Sequence, residues 1–298
     1  MSWRVVVISN RCKLDLSMNY MVVRGEETKR VSLNEIAVLI LENNAVSMTG
    51  CLLSALIEKK IRVILCDGKR NPQAEVTPYY GCHNDARKIK MQIQWEPAMV
   101  ETIWTRIVKE KISNQAMLLE KTEHDEYKML CQYVEEVQPG DVTNREGHAA
   151  KVYFNALFGK KFSRDDEENV TNAALNYGYS LILSAVNREV SANGYLTQLG
   201  LWHDNQFNHF NLSCDIMEPV RIVVDEFVYK HEFQTFETEE KHLLASILNE
   251  SVHINHTEQN LLNAVKIYVK SIFDIMVIQF LYTKFYHNML LLLYVNFL

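Results

Sequence analysis

Along the first eighty or so residues the apolar positions come in short, β-branched blocks, and beyond that they recur at helical spacing. Arg4–Ile8 is one block, residues 14–23 form a second, residues 30–31 open a third, and residues 37–41 and 61–66 read as buried strands. Asp67-Gly68 closes the last of these as a turn. Between them, residues 49–58 set Leu52, Leu53, Leu56 and Ile57 on one side of a helix. From residue 85 onward helices are expected over residues 86–112, 115–137, 144–158, 166–191, 215–229 and 239–248, with Pro139-Gly140-Asp141 as a clear break.

The predicted fold class is therefore α+β. A small β-rich, β-sandwich-like domain spans residues 1–80, and a larger all-α domain spans residues 81–298. Residues 276–298 are heavily apolar, but Gln279, Lys284, His287 and Asn288 interrupt them. That stretch reads as a buried or frayed terminal helix rather than a membrane span.

Composition adds three constraints. Hydrophobic residues make up 48% of the 298 positions, enough for a real core and against disorder. The six cysteines form no CxxC pair, and the opening residues lack a secretory signal pattern, so free thiols in a reducing cytoplasm are expected. The net charge of −6 argues against a simple nucleic-acid coating protein, so any DNA contact needs locally gathered basic residues. Arg87, Lys88 and Lys90, then Arg106, Lys109 and Lys111, then Lys160, Lys161 and Arg164 form such groups. The ordinary reading of each is a solvated helix face.

Three segments carry candidate chemistry: residues 141–150, residues 200–203 (Gly-Leu-Trp-His) and residues 215–221. Glu146 has a structural reading, because Thr143-x-x-Glu146 fits a capping box. His203 in a loop is ordinarily a surface residue. Asp215, Glu218 and Arg221 share one face of an expected helix that Ser213 would cap, and such a face is ordinarily an ion-pair ladder. Much of that helix is apolar, however, so its acidic face needs a partner, and a cation would serve. Two carboxylates and an imidazole make a suitable set for Mg2+ or Mn2+. Spacing alone does not bring the three together.

The segments NREGHAAKVYF (144–154), LNYGYSLILSAVNREV (175–190), GLWH (200–203) and DIMEPVRIVVDEFV (215–228) resemble, in order and separation, the CRISPR-associated integrase-endonuclease family, the catalytic subunit of spacer acquisition. The likeness covers roughly residues 1–274. The opening WRVVVISNRCKLDLSMNYMVVR is similar to the type II branch, subtype A. The resemblance implies Glu146, His203 and Glu218 as ligands of a catalytic Mg2+ or Mn2+, with Asp215 supporting them from behind. It implies joining of 3′-hydroxyl ends of captured DNA to a CRISPR repeat by transesterification, and cleavage of DNA by the same site. It further implies a homodimer, built through the N-terminal domain and bridged by a small adaptation subunit into a heterohexamer on double-stranded DNA, with other type II adaptation proteins as further partners and no membrane. Arg87, Lys88, Lys160, Lys161 and Arg164 are then candidate phosphate contacts. Two other readings stay open: a transposon-type integrase relative, and a catalytically silent DNA-binding scaffold.

Overall fold

The computed structural model describes residues 4–76, 84–255 and 257–282. The expected domain boundary at residues 80–81, Cys82 and the apolar tail beyond residue 282 lie outside these. In chain order the elements begin β1 (Arg4–Ile8), β2 (Lys13–Ser17), β3 (Tyr20–Arg24), β4 (Thr28–Ser32), β5 (Ile36–Leu41), β6 (Ser47–Met48), α1 (Gly50–Glu58), β7 (Arg62–Cys66) and β8 (Pro72–Glu75). Helices follow: α2 (Asp85–Ile93), α3 (Pro97–Lys121), α4 (Tyr127–Glu136), α5 (Arg145–Phe158), α6 (Val170–Ala192), α7 (Asn211–Met217), α8 (Ile222–His231) and α9 (Thr238–Ala245). A hairpin, β9 (Ser251–Ile254) with β10 (Thr257–Asn260), leads into α10 (Leu261–Tyr282). The α+β class holds, with a β-rich N-terminal region and a helical C-terminal part that also carries this hairpin.

The chain forms two compact units. One comprises Met1–Tyr79 with Thr235–Glu250, and the other Tyr80–Gln234 with Ser251–Leu298. In the first, two four-stranded sheets have the orders β1-β5-β7-β8 and β4-β3-β2-β6. β1, β5 and β7 run parallel, while β8 is antiparallel to β7. Every residue of β5 is buried, which explains its unbroken run of apolar side chains. Leu14, Met21, Ile36, Leu39, Leu52 and Leu56 are fully enclosed in the core between the strands and α1. Thr49 caps α1 by accepting the Leu52 amide at 3.3 Å. The segment carrying α9 joins this unit through polar contacts. Lys241 Nζ donates to the Lys69 carbonyl at 2.6 Å, and His242 Nε2 lies 2.7 Å from the buried Glu42 carboxylate.

Several element boundaries differ from the sequence reading. Residues 14–23 are two antiparallel strands, because Met18 adopts a left-handed φ of 54° at the turn. Residues 86–112 are split at Gln94-Trp95-Glu96, since Pro97 can start α3 but cannot continue α2. Residues 215–229 are broken by a 3-10 turn at Glu218–Val220, where Pro219 interrupts the hydrogen-bond ladder. Among the described residues no helix is long and apolar enough to cross a membrane.

Candidate metal and DNA-joining centre

The start of α5 sets the direction of Glu146. A helix begins with backbone amides that have no partner within it. Here Asp141 accepts the amide of Arg145 at 2.8 Å and that of Glu146 at 2.9 Å, and Asn144 accepts the amide of Gly147 at 3.2 Å. Gly140, at φ 66°, turns the chain so that Asp141 can reach them. The expected Thr143–Glu146 capping box is absent, because Asp141 and Asn144 fill that role. The Glu146 carboxylate is thereby left to point at another helix.

It points at Lys111 of α3. Lys111 Nζ donates to Glu146 Oε1 at 2.5 Å and stands 2.6 Å from Glu218 Oε2. Glu218 Oε2 is buried, so this second contact joins opposite charges away from water. The other Glu218 oxygen lies 2.9 Å from the Arg221 guanidinium. Burial opposes charge on Glu218, yet Lys111 and Arg221 outweigh it and hold the carboxyl below its ordinary range. Burial likewise disfavours the Lys111 ammonium, and Glu218 and Glu146 together more than compensate, raising its pKa. Ser213 lies inside α7 and caps nothing, contrary to expectation, and Glu218 opens the 3-10 turn that Pro219 imposes.

His203 is positioned by Asp215. Asp215 is fully buried on α7. One carboxylate oxygen accepts the amides of Leu201 and Trp202 at 2.6 and 3.0 Å. The other meets the His203 amide at 3.2 Å and His203 Nδ1 at 2.5 Å. One carboxylate thus organises the whole Gly200–His203 turn and leaves Nε2 as the imidazole nitrogen with a free hand. The hydrogen bond to Asp215 raises the His203 pKa against the opposing effect of burial, and the charges of Glu218 and Glu146 add to the rise. The turn admits only glycine at its first position. A Cβ on Gly200 would sit 2.2 Å from the His203 carbonyl oxygen and 2.8 Å from Asp215 Oδ2. The Trp202 ring stacks on buried Trp104, with centroids 5.7 Å apart and planes within 3°. Trp104 and Lys111 lie two turns apart on α3, so one helix supports both the histidine turn and the two glutamates.

Beside Lys111 lies a cavity of about 200 Å³, lined among others by Gln115, Arg164, Tyr179, Glu218 and Arg221. At its wall Tyr153 donates to buried Asp225 at 2.9 Å, and Tyr179 donates to the other Asp225 oxygen. Burial pushes the Asp225 carboxyl up to about 6, although both tyrosine hydroxyls favour its charged form.

The expected phosphate contacts divide. Arg87 on α2 and Lys160 and Lys161 after α5 are exposed. Lys88 is tied to the Asn193 carbonyl at 2.7 Å and lies over the Tyr195 ring. Arg164 donates to Asn172 and Asn176, each at 2.6 Å, and lies over the rings of Phe154 and Tyr179. Lys111 was legible only as one of a basic group. Its place four residues after Ile107 and four before Gln115, both buried, is the signal that it faces inward.

The donor set suits a hard divalent cation. Two carboxylates already converge on one small positive group, and the Glu218 oxygen turned towards it is buried. Among the described residues, no three His, Cys, Asp or Glu side chains are arranged to hold a metal ion. The centre of the cluster is filled by Lys111, and His203 stands beside it, tied to Asp215.

Comparison with known proteins matches residues 5–253 to the family model described as CRISPR associated protein Cas1. A relative from Neisseria meningitidis serogroup C, "CRISPR-associated endonuclease Cas1", is 39% identical over 76% of this chain and 74% of its own length. Among solved structures, a "Casposase bound to integration product" superposes with a TM-score of 0.75 at 16% identity, covering 97% of this chain and 92% of that one. A "Cas6-RT-Cas1--Cas2 complex" gives 0.70 at 18% identity, covering 93% of this chain and 35% of that one. These two structural likenesses bear on the fold.

Proposed function

Since the chain belongs to the CRISPR-associated Cas1 family, we propose that it is the integrase-endonuclease of CRISPR adaptation, of the type II branch and subtype A, using Mg2+ or Mn2+. The observation that carries this reading is the convergence of Glu146 and Glu218 on one point, with the His203 turn locked beside it. The type II assignment is supported by the resemblance of the N-terminal strand sequence.

Glu146, Glu218 and His203 would hold the ion, His203 through Nε2 because Asp215 occupies Nδ1. Such an ion, when bound, polarises the scissile phosphodiester and offsets charge on the attacking and leaving oxygens. The DNA 3′-hydroxyl attacks phosphorus at the repeat edge. A new phosphorus–oxygen bond forms as the old one breaks; the attacking hydroxyl gives up its proton, and the displaced strand leaves with a newly formed 3′-hydroxyl that takes one up. Arg221, braced against Glu218 and lining the cavity, would meet phosphate oxygens. No side chain is assigned as a separate base. Exposed Arg87, Lys160 and Lys161 would add contacts to the duplex backbone.

The partners proposed are double-stranded DNA, a second copy of the chain, and a small subunit of the Cas2 type, as named in the Cas6-RT-Cas1--Cas2 complex, 35% of whose matched chain this chain superposes on. The test is strand transfer with purified protein, its partner subunit, a labelled fragment and a plasmid carrying leader and repeat, in Mn2+, in Mg2+ and in EDTA. Metal-dependent joining that disappears in Glu146→Ala, His203→Ala and Glu218→Ala supports both enzyme and site. DNA binding without joining in either metal would replace this reading with that of a silent scaffold.

A further inference from the structure

We propose that Lys111 is a built-in counter-cation that holds the metal site together without metal and must leave the carboxylates for a divalent ion to bind. The inference rests on the metal reading of Glu146 and Glu218 given above, and goes beyond it by making metal binding a competition with a residue of the chain. Lys111 is nearly enclosed, with 12% of its side chain exposed, and its Nζ touches Glu146 and Glu218 at 2.5 and 2.6 Å. These are the two carboxylates a cation would need, and the ammonium stands between them. Remove it, and two carboxylates face each other in a poorly hydrated space, with Arg221 on the far oxygen of only one.

An ammonium and a divalent ion cannot share that point, because each needs the same oxygens at contact distance. Lysine suits an exchange of this kind. Its charge is compact and rides on a flexible four-carbon stem, whereas a guanidinium would grip both carboxylates as a fork. The cavity that Lys111 itself lines gives the displaced ammonium somewhere to go. Arg164 and Arg221 line the same cavity, so the released Lys111 would be the third cation in a space fit for a phosphate. Loading the metal would therefore also complete an anion-binding wall.

The test uses the full chain, with Mn2+ titrated by calorimetry and thermal melts recorded in EDTA and in excess Mn2+. Lys111→Met should melt well below wild type in EDTA, close most of that gap in Mn2+, and bind Mn2+ about tenfold more tightly. Lys111→Arg keeps the charge. It should melt like wild type in EDTA and bind Mn2+ several-fold more weakly. A purely structural lysine would lower stability in both media and would not tighten metal binding. Mn2+ affinity that is unchanged or weakened in Lys111→Met, or shifted the same way in both variants, overturns the proposal while leaving the metal site standing. No Mn2+ binding by wild type or either variant removes the metal reading and this inference together.

Discussion

His203 Nδ1 lies 2.5 Å from Oδ1 of Asp215, and the same carboxylate accepts the three successive amides of residues 201–203. A single buried acid therefore fixes both the backbone of the turn and the orientation of the ring it carries. Asp215→Asn replaces one accepting oxygen by an NH2 group that faces donors. It should cost about 2–4 kcal/mol in urea unfolding, because buried amides are left without acceptors. His203→Ala should cost clearly less, since it leaves the amides satisfied. Equal costs would mean that the carboxylate serves the ring alone.

Gly200 and Gly147 allow a paired test of backbone crowding. At Gly200 an added Cβ would meet backbone oxygen at 2.2 Å, whereas at Gly147 its nearest neighbour is the Asn144 side-chain oxygen at 2.7 Å. Side chains rotate away more cheaply than backbone. Gly200→Ala should therefore lose about 2 kcal/mol or more and abolish strand transfer, while Gly147→Ala loses about 1 kcal/mol or less. Denaturant melts of the two variants decide it. A stable, active Gly200→Ala would show that the turn is looser than its contacts imply.

Asp225 should make stability depend on pH. Its carboxyl is pushed up to about 6 by burial, from an ordinary value of 3.8. The folded state thus keeps the proton to higher pH than the unfolded state does. The sign follows: between about pH 4 and 6 stability falls as pH rises, by at most ~3 kcal/mol, and then levels off. Asp225→Asn should flatten that part of the profile, read from urea unfolding every half pH unit. A profile unchanged by the substitution would mean that the Asp225 carboxyl titrates in the fold as it does in the unfolded chain, the hydroxyls of Tyr153 and Tyr179 offsetting its burial.

The Trp202 ring is 52% exposed but lies flat on Trp104, which is 1% exposed. Trp202→Ala should cost about 1 kcal/mol, the worth of one aromatic pair. It should lower strand transfer by a larger factor than it lowers the folded fraction, because Trp202 precedes the proposed ligand. Activity that merely tracks stability would reduce Trp202 to packing.

The strands β1, β5 and β7 and the helix α1 were readable from local pattern, as was the switch to helical spacing near residue 85, because burial imposes its period on each element separately. Glu146, His203, Glu218 and Asp215 were picked out by their order and by family likeness, and the structure places Asp215 behind His203 and sets Glu146 opposite Glu218. What local pattern misjudged were junctions: the turn at Met18, the break before Pro97 and the 3-10 turn at Glu218. At those points one backbone angle or one missing amide outweighs the periodicity around it. Local capping rules also misassigned Glu146, since Thr143 and Asp141 compete for the same amides and only the Gly140 turn decides between them.

Periodicity and motifs along the chain suffice for the α+β class, the family likeness and the set of acidic and imidazole groups available for chemistry. Packing alone sets Lys111 between Glu146 and Glu218, thirty-five residues before one and far from the other in the chain. It equally buries Asp225 under two tyrosines. The physical reason is that charge pairing and desolvation depend on distance in space, and α3, α5 and the α7–α8 junction acquire that proximity only when they pack.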